Sequence, residues 1–462
     1  MRVVVVGGGI AGLAAAWAVA ERSPGADVLV LEASAVVGGK LRVAPVAGLP
    51  VDVGAEAMLA RRPEGVELAR ALGLDGSLIA PLTTSASVYA GGAAHPLPAR
   101  TMLGIPADVV ALRQSGVLDA AAVSTVEGEP DRSPMPPLID DVAVGSLVRG
   151  RLGDEVVDRL VEPLLGGVYA GRADELSLRA TMPALAARLR EGGSLVHAAH
   201  AVTDVGARDP ASGPVFASLA GGLGGLPAAL AASGRFAVRT GVTVREIRRT
   251  PSGFALECGP VPASELVEAD AVIVAAPAAK SARLLGDVAP AAAAELSTVD
   301  AASMAIVTFA FRDVVLPPGS GLLVGSREGR HVKAVTLSSQ KWPGTPTGLT
   351  VLRASVGRVG ETADLQRDDA ELTALVLADL RILIGVDAAP IDSLVTRWGG
   401  GLPQYAVGHV EKVARIRAAV AAAGPGLAVC GAAYDGVGIP ACIASARLAA
   451  DQVLASLAGQ GQ

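Results

Sequence analysis

Gly7-Gly8-Gly9-Ile10-Ala11-Gly12 is a turn almost without side chains, and the acid Glu32 follows it in the next apolar run. Together these residues can hold a dinucleotide. The first N–H groups of a helix have no intrahelical partner, and the helix start carries a partial positive charge, so a glycine turn that opens a helix can cradle a pyrophosphate. Gly7 permits the tight turn, Gly9 lets the backbone approach the phosphates, and Gly12 lets helix and sheet pack closely. Gly8, Ile10 and Ala11 complete the cradle, and Glu32 accepts hydrogen bonds from ribose hydroxyls. The elements that must position these groups lie on either side. Arg2 to Val6 is a valine-rich run that reads as a strand buried on both faces. Leu13 to Ala20 is alanine-rich with helical spacing, and Val28 to Leu31 is a second strand that ends at Glu32. The alternative, a glycine turn without a ligand, leaves strand, helix and acid as coincidence.

A chain of 462 residues has room for two or three domains, or for one nucleotide-binding domain with large insertions. Just over half of it is apolar, much of that alanine and valine. No run of about 18 residues is free of charges and turn-formers, so no transmembrane helix is expected. The N-terminal apolar run breaks at Gly7, too early for a signal peptide. The net charge of −6 is spread over both signs, and no nucleic-acid footprint is expected. Cys258, Cys430 and Cys442 are few and far apart, which suits reduced cysteines in a cytoplasmic protein. His197 and His200 have the spacing of a ligand pair but no acidic companion, so no metal site is expected.

After Glu32 the chain reads Ala33-Ser34-Ala35-Val36-Val37-Gly38-Gly39-Lys40-Leu41-Arg42. This E-x5-G-G-x-x-R pattern resembles the second glycine motif of the flavin amine oxidase superfamily, which implies FAD rather than NAD. On the same resemblance Ala33, Gly39 and Lys40 lie along the cofactor, and Gly54, Ala55, Glu56 and Ala57 pass beside the flavin. Gly221 to Pro227 opens a helix before a strand read as Val238 to Ile247, where Val244 matches the backbone contact to adenine. A strand from Ala271 to Ala276 ends at Pro277. Near the C-terminus, the strand Leu427 to Cys430 leads into Gly431, Val437, Gly438 and Ile439 and a helix from about Ala441 to Leu457, which points at the flavin in the superfamily. Many relatives carry an acid or amide where this chain has Ala432, so only backbone contacts are expected there. The resemblance implies an α/β fold: a discontinuous Rossmann-like FAD domain (1–94, 201–280 and 425–462), a helical insertion (95–200) and a mixed-sheet substrate domain (281–424). The polar, proline-rich stretch from Glu127 to Pro137 is expected to be a mobile loop.

Four further stretches resemble the porphyrinogen oxidase family: Glu162 to Gly171 with Leu176 to Arg179, Ser338 to Pro343, Arg397-Trp398 with Leu402 to His409, and Tyr434 to Ile443. They occur in the family's order from end to end. The resemblance implies FAD-dependent oxidation of coproporphyrinogen III to coproporphyrin III in haem biosynthesis, with molecular oxygen as acceptor, peroxide as by-product and transient transfer to a ferrochelatase. Protoporphyrinogen IX is the alternative substrate. Another flavin amine oxidase-like enzyme, or a non-enzymatic FAD- or porphyrin-binding protein, stands behind these. Peripheral membrane contact stays open. No acid–base triad is visible, and water can take the acidic pyrrole proton, so no dedicated base is assigned. His409 is a candidate by elimination only, against a structural hydrogen-bonding role. Arg61, Arg62, Arg100, Lys341 and Arg358 are candidate cations for substrate propionates, each against the alternative of an ordinary surface charge. Trp398 is placed near the flavin, against simple core packing.

Overall fold

The structure, a computed structural model, describes residues 1–207 and 213–458. Five parallel strands meet in the spatial order Ala237–Arg239, Asp27–Leu31, Arg2–Val6, Ala271–Val274 and Leu427–Val429. The central strand is valine on both faces because both faces are covered, and Val3, Val4 and Val5 are fully buried. On one face lie the helices Ile10–Arg22, Gly225–Ala232 and Ile439–Ala458, which share a core through Leu13, Leu230, Ala446 and Ala449. Their alanine content lets the first and last of these helices lie close together. On the other face lie a three-stranded antiparallel sheet and the helices Ala278–Leu285, Pro290–Ser297 and His409–Ala422. The expected boundaries at 281 and 424 would give nearly all of these three helices to the substrate domain, yet they pack on the nucleotide-binding sheet.

The strand expected from Val238 to Ile247 is two strands. Ala237–Arg239 ends the parallel sheet, a turn follows at Gly241 (φ +70°), and Val244–Thr250 begins the antiparallel sheet. A second large sheet has seven strands in the order Asp392–Pro403, Ala301–Arg312, Leu349–Val356, Val332–Thr336, Gly321–Val324, Ser87–Ala90 and Ala93–Pro96. It is mixed because Gly321–Val324 runs parallel to Ser87–Ala90 while its other neighbours pair antiparallel. The expected boundary at 94 therefore falls inside a strand of this sheet. Helix Asp369–Ile384 closes its back through Leu372, Val376 and Leu380.

The segment between these sheets is mainly helical, with its own core. The expected mobile loop is tied down within it. Glu129 is fully buried and accepts hydrogen bonds from the Leu195 and Val196 amides, closing the start of helix Leu195–Ala207. Arg151 pairs with the same carboxylate at 2.6 Å. Among the described residues, Ile439–Ala458 is the one helix long and apolar enough to cross a membrane, but Ile443, Ala446, Ala450 and Val453 lie in the core it shares with Ile10–Arg22.

Candidate cofactor and substrate site

The glycine turn sits at the end of the central strand, where the Gly7 amide bonds to the Leu31 carbonyl at 2.8 Å. Only glycine fits at position 12, since a Cβ there would stand 1.8 Å from the Gly7 carbonyl oxygen. At Gly9 a Cβ would meet nothing within 4 Å, so this side of the turn is open. Gly9 caps helix Ile10–Arg22 without a side-chain bond, and the first turn holds no acid. The leading amides, including those of Ile10 and Ala11, thus have no side-chain acceptor from the cap, and a diphosphate fits them. Glu32 takes the Gly8 amide at 2.6 Å and the Ser34 amide at 2.7 Å, beside the exposed Ala33. The Ser34 hydroxyl also donates to Oε1, so Oε2, which holds the Gly8 amide alone, is the oxygen that keeps a lone pair for a further donor. The second glycine motif lies against the first: the Gly38 amide bonds to the Gly8 carbonyl at 2.8 Å, and Gly39 backs onto Gly9. The Val242 amide bonds to the Glu32 carbonyl at 2.9 Å, which brings Val244 to the same end of the sheet. Val244 buries its side chain in the core, so any contact from it to a base is through its backbone.

The C-terminal loop Gly431 to Gly438 is braced by Tyr405 and His409. The Tyr405 hydroxyl donates to the Ala432 carbonyl, and His409 Nε2 bonds to the Tyr434 carbonyl at 3.1 Å. The two rings stack with centroids 4.1 Å apart. His409 is 4% exposed, and burial lowers its pKa, so the ring is a neutral Nε2–H donor. That geometry gives His409 the structural hydrogen-bonding role that stood as the alternative to a catalytic one. Asp141 extends the brace into the helical segment, accepting from the Gly408 amide at 2.8 Å and the Ser177 hydroxyl at 2.6 Å. Beyond the loop, Val437, Gly438 and Ile439 lead into the last helix, whose Cys442 amide donates to the Gly438 carbonyl at 3.0 Å. Burial pushes the Cys442 thiol up to about 11.

A third piece, the turn from Val53 to Glu56, joins the cradle to the seven-stranded sheet. The Ala55 amide bonds to the Lys40 carbonyl at 3.0 Å, and a Cβ on Gly54 would lie 1.9 Å from that oxygen. From the other side, Trp398 Nε1 donates to the Val53 carbonyl at 3.1 Å. Lys341 and Arg353 each reach the Glu56 carboxylate at 2.7 Å, and Arg353 also donates to the Gly54 carbonyl. Burial would raise the Glu56 carboxyl, but the two cations outweigh it and hold it at about 2. Ala57 follows directly and is half-buried. Lys40, also half-buried, has its ammonium pKa lowered by burial.

Residues 10–454 match the flavin-containing amine oxidoreductases. The chain belongs to that family. It is 38% identical to the coproporphyrinogen III oxidase of Mycobacterium tuberculosis H37Rv over 99% of this chain and 98% of that protein. It is 30% identical to the coproporphyrinogen III oxidase of Bacillus subtilis 168, covering 98% of each. Among solved structures, a protein of Exiguobacterium sp. 255-15 described as a protoporphyrinogen oxidase superposes with a TM-score of 0.86 at 33% identity, over 97% of this chain and 98% of that one. A putrescine oxidase variant superposes at 0.70 with 18% identity, a likeness of fold alone.

Within this flavin-containing fold the five candidate cations are dispersed. Arg61 is exposed, and Arg62 pairs with Glu64 at 2.8 Å where helix Pro63–Ala71 begins. Arg100 pairs with Asp204 at 2.6 Å. Arg358 is buried, with Nη2 on the Val324 carbonyl at 3.3 Å and Nη1 3.5 Å from the Glu361 carboxylate. Lys341 is bound to Glu56, next to Trp398's partner in the same turn. Arg358 thus departs from the surface-charge alternative, and Lys341 stands closest in bonding to the cofactor motifs. His200 Nδ1 meets the Ala107 carbonyl at 3.1 Å. All three cysteines are free and buried. Arg353 was not singled out from sequence. The signal is a lone charge inside the apolar run Leu349–Val356, a pattern that marks a buried cation with a partner.

Proposed function

We propose that this protein oxidises coproporphyrinogen III to coproporphyrin III with bound FAD and molecular oxygen, giving peroxide. The observation that carries this reading is full-length likeness to coproporphyrinogen III oxidases on a chain whose two glycine motifs and C-terminal loop fit a flavin dinucleotide. When bound, FAD supplies the two-electron oxidation of a methylene bridge, repeated three times per macrocycle. The chain's own groups bind and orient. The Ile10–Arg22 helix start holds the diphosphate, Glu32 the ribose, and the turn from Gly54 to Ala57 borders the ring. Tyr405 and His409 fix the carbonyls of Ala432 and Tyr434, so the loop before Ile439 keeps its shape without a polar side chain at position 432.

No residue is assigned to take the pyrrole proton. His409 is neutral, buried and committed to Tyr434, and both oxygens of Asp52 face the Leu223 amide at 2.9 and 3.1 Å. Water is the acceptor in this reading. Lys341 is the preferred cation for a substrate carboxylate, because Arg353 can keep Glu56 paired if the ammonium turns away. Lys341→Met is expected to raise KM for the four-propionate substrate several-fold with a smaller change in kcat. An equal change for a substrate analogue without propionates would show that Lys341 acts elsewhere. Aerobic turnover with coproporphyrinogen III and protoporphyrinogen IX side by side separates the two substrates: the reading expects the higher kcat/KM for the first, and the reverse order would move the assignment to protoporphyrinogen IX. Hand-over of product to a ferrochelatase is a further part of this reading, to be dropped if mixing the two proteins at micromolar concentrations gives neither binding nor transfer.

A further inference from the structure

Arg353 is 7% exposed, on a strand whose neighbours are apolar. Burying a guanidinium is costly unless it is paired and fully bonded, and a well-packed apolar residue often serves stability as well or better. Among the described residues its Nε–H has no partner at all. The place is therefore a poor one for an arginine that only holds the core together. Its two bonded nitrogens reach across from the substrate sheet to one turn of the nucleotide-binding part, one to Glu56 Oε2 at 2.7 Å and one to the Gly54 carbonyl. That turn cannot shift independently of the flavin motif. Its flanks are pinned by Val53 N to the Arg42 carbonyl at 2.9 Å and Ala55 N to the Lys40 carbonyl at 3.0 Å, and Gly54 has no free space toward Lys40. Gly39, next along, lies against Gly9 of the first glycine turn.

We propose that Arg353 is a positioning residue for the flavin: it fixes the Gly54–Glu56 turn, and through it the Lys40 and Gly39 backbone, relative to the substrate sheet. The role differs from that of Lys341, which shares Glu56 but makes no bond to the turn's backbone. Arg353 sets where the ring lies against the face on which substrate is held. This rests on the flavin-binding reading of the cradle and not on which porphyrinogen is oxidised.

The test is FAD titration of apoprotein by quenching of flavin fluorescence, together with the visible spectrum of the bound flavin and steady-state kinetics of the reloaded enzyme. Arg353→Met is expected to weaken FAD binding about tenfold or more, to shift the bound-flavin spectrum toward that of free FAD, and to lower kcat with little change in KM. Arg353→Lys, which keeps a cation for one of the two acceptors, falls between. Arg415→Met, which breaks the exposed pair with Glu295 at 2.6 Å, is the control and leaves all three readouts at the parent value. A folded Arg353→Met protein that binds FAD within twofold of the parent with an unaltered spectrum overturns the proposal. If that variant does not fold, Arg353→Lys decides, because it keeps the charge and cannot reach both Glu56 and the Gly54 carbonyl: weaker FAD binding than the parent supports the proposal and binding within twofold of the parent overturns it. The titration needs no substrate, so a wrong porphyrinogen assignment and a wrong role for Arg353 give different results.

Discussion

Asp52 and Glu56 are four residues apart on one segment, and their environments push them in opposite directions. Burial raises the Asp52 carboxyl to about 6, with the Leu223 amide and Arg353 opposing only in part. Glu56 is held at about 2 by its two cations against burial. A carboxyl whose pKa is higher in the folded than in the unfolded chain binds more protons when folded, so its contribution to stability falls as pH rises from about 4 to about 6. Asp52→Asn removes this titration and keeps an acceptor for the Leu223 amide. Thermal unfolding across a pH series should show the variant gaining on the parent between pH 4 and pH 7, by up to roughly 3 kcal/mol. A difference that is flat with pH would mean that Asp52 is not the buried acid described above. Glu56 has the opposite sign: its contribution is present above about 4.5 and is lost as pH falls through about 2. Neither shift is legible in sequence. Asp52 and Glu56 read alike as acids near a glycine, and the cations that distinguish them stand far along the chain, Arg353 being 297 positions after Glu56.

At the scale of elements, what was legible was local. The strand, glycine turn, helix, strand and Glu32 follow one another directly, and each is specified by its own residues and its neighbours. What was not legible depended on distant partners. Ala93–Pro96 reads as the tail of a nucleotide-binding segment until the hairpin it forms with Ser87–Ala90 is seen to pair with Gly321–Val324. Glu127 to Pro137 reads as mobile until Glu129 is found closing a helix start beyond position 190. The Tyr405 and His409 brace joins two elements in the same way. Tyr405→Phe leaves the Ala432 carbonyl without its donor, at a cost of about 1–3 kcal/mol, and should lower Tm and speed FAD loss. Unchanged Tm and FAD retention would remove the brace from the description. Strand Val332–Thr336 carries a different tension. Lys333 is 3% exposed, with its ammonium on the Gly166 carbonyl at 3.4 Å, and burial, with Arg358 adding to it, lowers its pKa to about 7. A lysine depressed on folding binds fewer protons folded, so stability rises with pH between about 7 and 10.5. Lys333→Met should therefore stabilise by roughly 1–4 kcal/mol at pH 6 and lose that advantage toward pH 10. The Gly166 carbonyl keeps the Ala170 amide at 2.9 Å, so no acceptor is orphaned. Destabilisation at pH 6 would show that the ammonium has a stronger partner than the carbonyl.

For the whole molecule, the central arrangement is a parallel sheet built from three distant stretches and a mixed sheet facing it, joined where the Val53 to Glu56 turn meets Trp398, Lys341 and Arg353. In the proposed reading a flavin held by the first sheet is set against a substrate held by the second, and a chain with full-length likeness to coproporphyrinogen III oxidases has a reason to keep both in register. The most direct measurement is aerobic incubation of the purified, FAD-loaded protein with coproporphyrinogen III, following porphyrin fluorescence and peroxide together. Coproporphyrin III should appear with three peroxides per macrocycle, and the rate should scale with the fraction of protein carrying FAD. Protein that holds FAD and yet forms no porphyrin above the uncatalysed rate would contradict the assignment.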